Sequence, residues 1–157
     1  MGTVIQTEDE VDRLMAGTSD DVGLLLDTGH LAFAGGNAAR VAQRHARRIV
    51  HVHCKDVRPH VLEDAIRRDQ GFLAAVLDGI FTVPGDGAID YAAVLRPLRA
   101  ADYTGWLVVE AEQDPAKAHP LTYARLGFAN LKAAAEAAGF TLAPRVRTAL
   151  AESAGVR

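Results

Sequence analysis

The chain has a single cysteine, Cys54, so no disulfide can form within it. It has no run of basic residues, and its formal net charge of -3 at pH 7 leaves no electrostatic footprint for nucleic acid. No apolar stretch approaches the roughly 20 residues that a membrane-spanning helix needs. Met1-Gly2-Thr3 leads straight to the acidic Glu8-Asp9-Glu10, without the pattern of a secretory leader. These absences predict a cytoplasmic protein whose partners are neither nucleic acid nor membrane. What is present suits one sizeable core: 157 residues, 49% hydrophobic and 24% charged.

The stretch Val50-His51-Val52-His53-Cys54-Lys55-Asp56 is the most informative. As a β-strand it places His51, His53 and Lys55 on one face and Val50, Val52 and Cys54 on the other, since successive side chains alternate. The apolar set is expected to bury, with Cys54 an inert core residue. A merely wetted face would carry Thr, Lys and Glu, whereas two imidazoles ending in Lys-Asp suit metal binding or proton transfer.

In chain order, Thr7-Glu8-Asp9-Glu10 has capping-box spacing and opens a short helix ending near Gly17. Val22 to Leu26 reads as a strand buried on both faces, followed by Asp27-Thr28-Gly29-His30. Asn37 can cap a helix to about Arg47, and Ile49 to Lys55 is the second strand. Pro59 ends it, and helical pieces at 60–68 and 72–77 flank Gly71. Pro84-Gly85-Asp86-Gly87 is a tight turn, and Asp90 caps a helix through Arg99 that Pro97 is expected to kink or shorten. Trp106 to Val109 reads as a third buried strand running into Glu110-Ala111-Glu112. Asp114-Pro115 reads as a cap and first helical position, ahead of a long helix from Leu121 to Ala138 that Gly139 stops.

Strands alternating with helices predict the α/β class with a parallel sheet. Parallel strands bring their C-terminal ends to one rim, so Asp27, His53 and Glu110 can meet there, a donor set suited to Mn, Co, Mg or Zn. Competing readings stand beside these. Asp27 also fits a turn cap, His51 a structural histidine, His45 and His60 surface positions, and His119 a loop. Glu112 is either solvated or a partner behind the ligands, and Lys55 and Arg58 are either surface charges or groups for substrate oxygens and proton transfer.

Leu24-Leu25-Leu26-Asp27-Thr28-Gly29-His30, His51-Val52-His53-Cys54-Lys55-Asp56, Val83-Pro84-Gly85-Asp86-Gly87 and Gly105-Trp106-Leu107-Val108-Val109-Glu110 together resemble the xylose isomerase-like TIM-barrel superfamily. Within it they are similar to the inosose dehydratases of inositol catabolism, from Met1 to about Phe140. The resemblance implies Asp27, His53 and Glu110 as metal ligands, His30 and Arg58 at the substrate, and Lys55 or Glu110 in proton transfer. It also implies Mn or Co as the metal, glutathione as a further cofactor, and dehydration of a polyol ketone to a trihydroxycyclohexane dione.

A TIM barrel takes roughly 250 residues and eight strands. The chain therefore reads as the C-terminal half of a barrel over residues 1–140, with three to four parallel strands, the fourth ending at Met1-Gly2-Thr3. Residues 141–157 form an Ala/Arg-rich tail expected to be helical. A further ligand is expected from a missing N-terminal half, and two unpaired sheet edges predict self-association. The alternatives are a sugar isomerase or epimerase of the same superfamily, or a catalytically silent fragment with a residual metal-binding rim.

Overall fold

In the computed structural model residues 4–143 are described; the expected strand end at Met1-Gly2-Thr3 and the tail from residue 144 lie outside them. Helix α1 (Glu8–Ala16) starts as the capping box requires: Thr7 Oγ1 accepts from the Glu10 amide at 3.4 Å and Glu10 Oε2 accepts from the Thr7 amide at 2.8 Å. Strand β1 (Leu24–Asp27) feeds without a loop into a short helix α2 (Thr28–Phe33), whose six residues carry no visible period. Asn37 caps α3 (Ala38–His45), and β2 (Ile49–Cys54) follows.

The excursion after β2 is a small unit of its own. β3 (Asp56–Val57) pairs antiparallel with β4 (Phe81–Thr82), and α4 (Pro59–Arg67) and α5 (Phe72–Asp78) lie between them. Val57, Ala65, Ala75, Ile80 and Phe81 form a second core beneath these pieces. α6 (Tyr91–Ala100), capped by Asp90, runs through Pro97 to its end, so the proline does not shorten it. Strand β5 (Trp106–Val109) completes the sheet, and α7 (Pro120–Ala137) closes the described region. Asp114-Pro115 does not start that helix: Asp114 Oδ1 accepts from the Ala116 amide in a separate turn, and the helix begins at Pro120.

The main sheet has the order β1-β2-β5, both pairs parallel. Its helix-facing side buries Leu24, Leu26, Ile49, Val52 and Cys54 against Val11, Val41, Val94, Leu98 and Leu131. The other side is open, which corrects the reading of strands buried on both faces. Leu25, His51 and Trp106 stand side by side in the register, and Leu25 and Trp106 are exposed. Val50, at the start of β2, is exposed as well, while Val52 and Cys54 bury as expected. The sheet is an arc of three strands, so the side chains of its inner face have no opposite wall among the described residues.

Candidate metal centre

The parallel register sets the site. Asp27 pairs with His53 at the ends of β1 and β2, and the Glu110 amide extends the β2–β5 ladder by donating to the Cys54 carbonyl at 3.5 Å. One ligand atom from each of Asp27, His53 and Glu110 falls within 4.8 Å of the others. His53 Nδ1 lies 2.8 Å from Glu110 Oε2 and 3.5 Å from Asp27 Oδ2. Despite that approach, Glu110 Oε2 is buried without a hydrogen bond, which a cation between these groups would satisfy. Asp27 also caps α2, its Oδ1 accepting from the His30 amide at 2.9 Å while Oδ2 stays on the His53 side. The cap and ligand readings of Asp27 are therefore compatible.

Lys55 is not a surface charge: it is 1% exposed. Its Nζ lies 2.6 Å from His30 Nε2 and 3.0 Å from Glu112 Oε2, with Asp27 Oδ2 and Glu110 Oε1 each at 3.5 Å. A buried ammonium is tolerated when carboxylates surround it, as here. The Asp27-Thr28-Gly29-His30 turn makes room for it. Thr28 Oγ1 donates to the Lys55 carbonyl at 2.7 Å and sits 3.1 Å from the Tyr91 hydroxyl, while Gly29 leaves space for the lysine stem. Phe81, from the second core, lies 5.2 Å under the ammonium and stacks on His30 at 5.0 Å.

The other expected residues separate. Arg58 is held away from this group: Nη1 donates to the Gly79 carbonyl at 2.5 Å, and Nη2 to Thr82 Oγ1 at 3.0 Å and Asp86 Oδ2 at 2.6 Å. His51 packs edge-on against His53, their rings 5.3 Å apart. His45 is partly covered and pairs with Asp12 at 2.5 Å, so it is not a free surface residue. Cys54 is buried, and burial, with the nearby Asp27 charge, pushes its thiol far above the usual range. Asp56 is buried beneath the Pro84–Ile89 loop, accepting from the Val57 and Ile89 amides at 2.8 and 2.9 Å, and burial raises its carboxyl. Glu112, which its spacing of two from Glu110 puts on the same strand face, stands beside Lys55 and His30 and so takes the place of a partner behind the ligands.

A sequence model of the xylose isomerase-like TIM barrel family matches residues 1–143. The rhizopine catabolism protein MocC of Rhizobium meliloti is 59% identical over 142 residues, 90% of this chain and 44% of that protein. The inosose dehydratase of Geobacillus kaustophilus is 52% identical over 126 residues, 80% of this chain and 41% of its own length. That of Clostridium beijerinckii is 50% identical over 125 residues, covering 79% and 42%. The chain thus spans less than half the length of these relatives. Among solved structures, the IolI protein with a bound zinc atom superposes with a TM-score of 0.51 at 22% identity, over 85% of this chain and 42% of that one. By the match over residues 1–143 and by its fold, this chain belongs to the xylose isomerase-like TIM barrel family.

Proposed function

We propose that the chain carries the metal-holding rim of a hydro-lyase that dehydrates an inosose, a polyol ketone, to a trihydroxycyclohexane dione in inositol catabolism. The observation that carries this reading is the meeting of Asp27, His53 and Glu110 from three strand ends. It occurs in a chain 52% identical to an inosose dehydratase over 80% of its length. Two carboxylates and an imidazole are the donors that Mn or Co accept, and the buried, unpaired Glu110 Oε2 fits a cation. Asp27, His53 and Glu110 would hold that ion, and when bound it would supply Lewis-acid polarisation of the ketone oxygen.

The remaining tasks fall to side chains. His30 is the proposed contact for substrate oxygens, and Arg58, whose guanidinium is committed to Gly79, Thr82 and Asp86, is left out of that role. Lys55 and Glu110 are the proton-transfer groups: a proton leaves the carbon beside the ketone, and the hydroxyl on the next carbon departs with a proton as water. Glu110 directs Oε2 to His53 and Oε1 to Lys55, so the two groups can exchange a proton. Three strands leave the substrate side open, and efficient catalysis needs ion, acid–base groups and substrate fixed together by surrounding structure. We therefore assign full activity to a closed barrel, with the other strands supplied by a complementary half.

The test is a coupled assay for the dione with Mn and glutathione, with and without a complementary N-terminal half, using His53→Ala as control. Turnover that appears on complementation and is lost in His53→Ala is the expected result. Absence of turnover after verified assembly overturns the dehydratase reading, and strong His53-dependent turnover by the chain alone overturns the requirement for closure. The 59% identity to a rhizopine catabolism protein favours a second reading, in which the same rim serves rhizopine catabolism; rhizopine as the assay substrate separates the two.

A further inference from the structure

Glu112 stands outside the ion-holding set but borders the same opening. A cavity of about 370 Å³ follows β1 and is lined by Leu25, Asp27, His30, Phe72 and Glu112 among others. The two oxygens of Glu112 are in different situations. Oε2 accepts from Lys55 Nζ at 3.0 Å and lies 3.0 Å from His30 Nε2, whereas Oε1 has no hydrogen bond among the described residues. The side chain is 40% exposed.

The partners of Oε2 are themselves fixed, so the carboxylate cannot turn over freely. Lys55 is enclosed by Gly29 and Phe81, and His30 stacks on Phe81. That leaves Oε1 as the atom available to a ligand in the cavity. An ionised carboxylate only accepts hydrogen bonds, so it selects a donor. Asp27, Glu110 and Glu112 crowd one ammonium here, which disfavours an anionic ligand and suits an uncharged one rich in hydroxyls.

Building on the reading of this rim as a polyol-ketone site, we propose that Glu112 is a specificity residue whose Oε1 accepts a hydrogen bond from one hydroxyl of the bound polyol. Lys55 and His30 position it for that contact. A site built around such an acceptor rejects an analogue lacking the hydroxyl, because its carboxylate oxygen is then desolvated without a partner.

The experiment is calorimetric titration of the Mn-loaded chain with myo-inositol, which carries the hydroxyls but not the reacting ketone, and with its monodeoxy analogues. Glu112→Ala is expected to weaken myo-inositol by about tenfold to a hundredfold, the range for a hydrogen bond to a charged group. One deoxy analogue is expected to bind wild type and variant alike, and Mn affinity is expected to stay unchanged. Glu112→Gln, which retains the shape and an acceptor oxygen for Lys55, guards against loss of folding and is expected to show a smaller loss with the same analogue pattern. Unchanged myo-inositol affinity in both variants overturns the assignment of Glu112 while leaving the polyol reading intact. So does a loss shared equally by every deoxy analogue. Failure of the Mn-loaded wild type to bind any of these polyols overturns this assignment together with the reading it rests on.

Discussion

Gly29 is the position on which burial of Lys55 depends, and Gly29→Ala tests that dependence. A Cβ there would lie 2.6 Å from Lys55 Cγ, 2.8 Å from its Cβ and 3.0 Å from its Cδ. These atoms are near the lysine backbone in a side chain 1% exposed, so they cannot step aside without drawing Nζ away from His30 and Glu112. Overpacking of this kind costs about 1–3 kcal/mol. Gly29 lies in α2 without a positive φ, so alanine returns up to about 1 kcal/mol of helix propensity. The overlap sets the sign, and the expected net loss is about 1 kcal/mol, a fall of about 0.5 M in the urea midpoint for an m-value near 2 kcal/mol/M. Lys55→Ala removes the Cγ and Cδ that collide, so in that background the cost of Gly29→Ala should shrink by at least about 0.5 kcal/mol. A stabilising Gly29→Ala, or an equal cost in both backgrounds, would refute the reasoning.

Thr28→Val keeps the shape but removes the hydroxyl that bonds the Lys55 carbonyl and meets the Tyr91 hydroxyl in a fully buried position. A loss of about 1–3 kcal/mol is expected by urea unfolding, with Thr28→Ser losing less; equal losses would show that the methyl, not the hydroxyl, matters. Glu8 is held down to about 2 from 4.5 by the Arg40 guanidinium, with Arg44 and the Asn37 amide, against the opposing effect of its burial. Because the folded value is depressed, this stability is present above pH 4.5 and fades as the pH falls toward 2, so Glu8→Gln should destabilise near neutrality and converge with wild type in acid. A gap independent of pH over that window would count against the ion-pair account. The edges of β1 and β5, unpaired among the described residues, and the exposed Leu25 and Trp106 predict self-association, read as concentration-dependent sedimentation; a monodisperse monomer at all concentrations would oppose it.

The rim was legible because alternation and strand ends are local signals. The His51-His53-Lys55 face, the apolar runs ending in Asp27 and Glu110, and the caps at Thr7, Asn37 and Asp90 are written in adjacent residues. What escaped depends on distant contacts. β3 and β4 have two residues each, too few to show a period, and their antiparallel pairing is made across the 23 residues of helices and turns between Val57 and Phe81. α2 is a six-residue helix with a glycine at its second position, so its formation depends on the Asp27 cap and its packing. The sequence leaves Lys55 between a surface charge and a proton-transfer group, and its burial shows only when His30, Glu112 and Phe81 are brought around it. The exposure of Leu25 and Trp106 was hidden for the opposite reason: apolar residues report what a sheet face would bury, not whether a wall stands opposite.

The central claim is that Asp27, His53 and Glu110 form one ion-binding set, and titration of Co(II) into the chain, followed by its visible absorption, tests it most directly. The account predicts one weakly bound ion per chain, with affinity reduced on the order of tenfold or more by each of Asp27→Asn, His53→Ala and Glu110→Gln. It predicts no change for Glu112→Gln. An absence of binding, or binding that persists undiminished in His53→Ala, would contradict it.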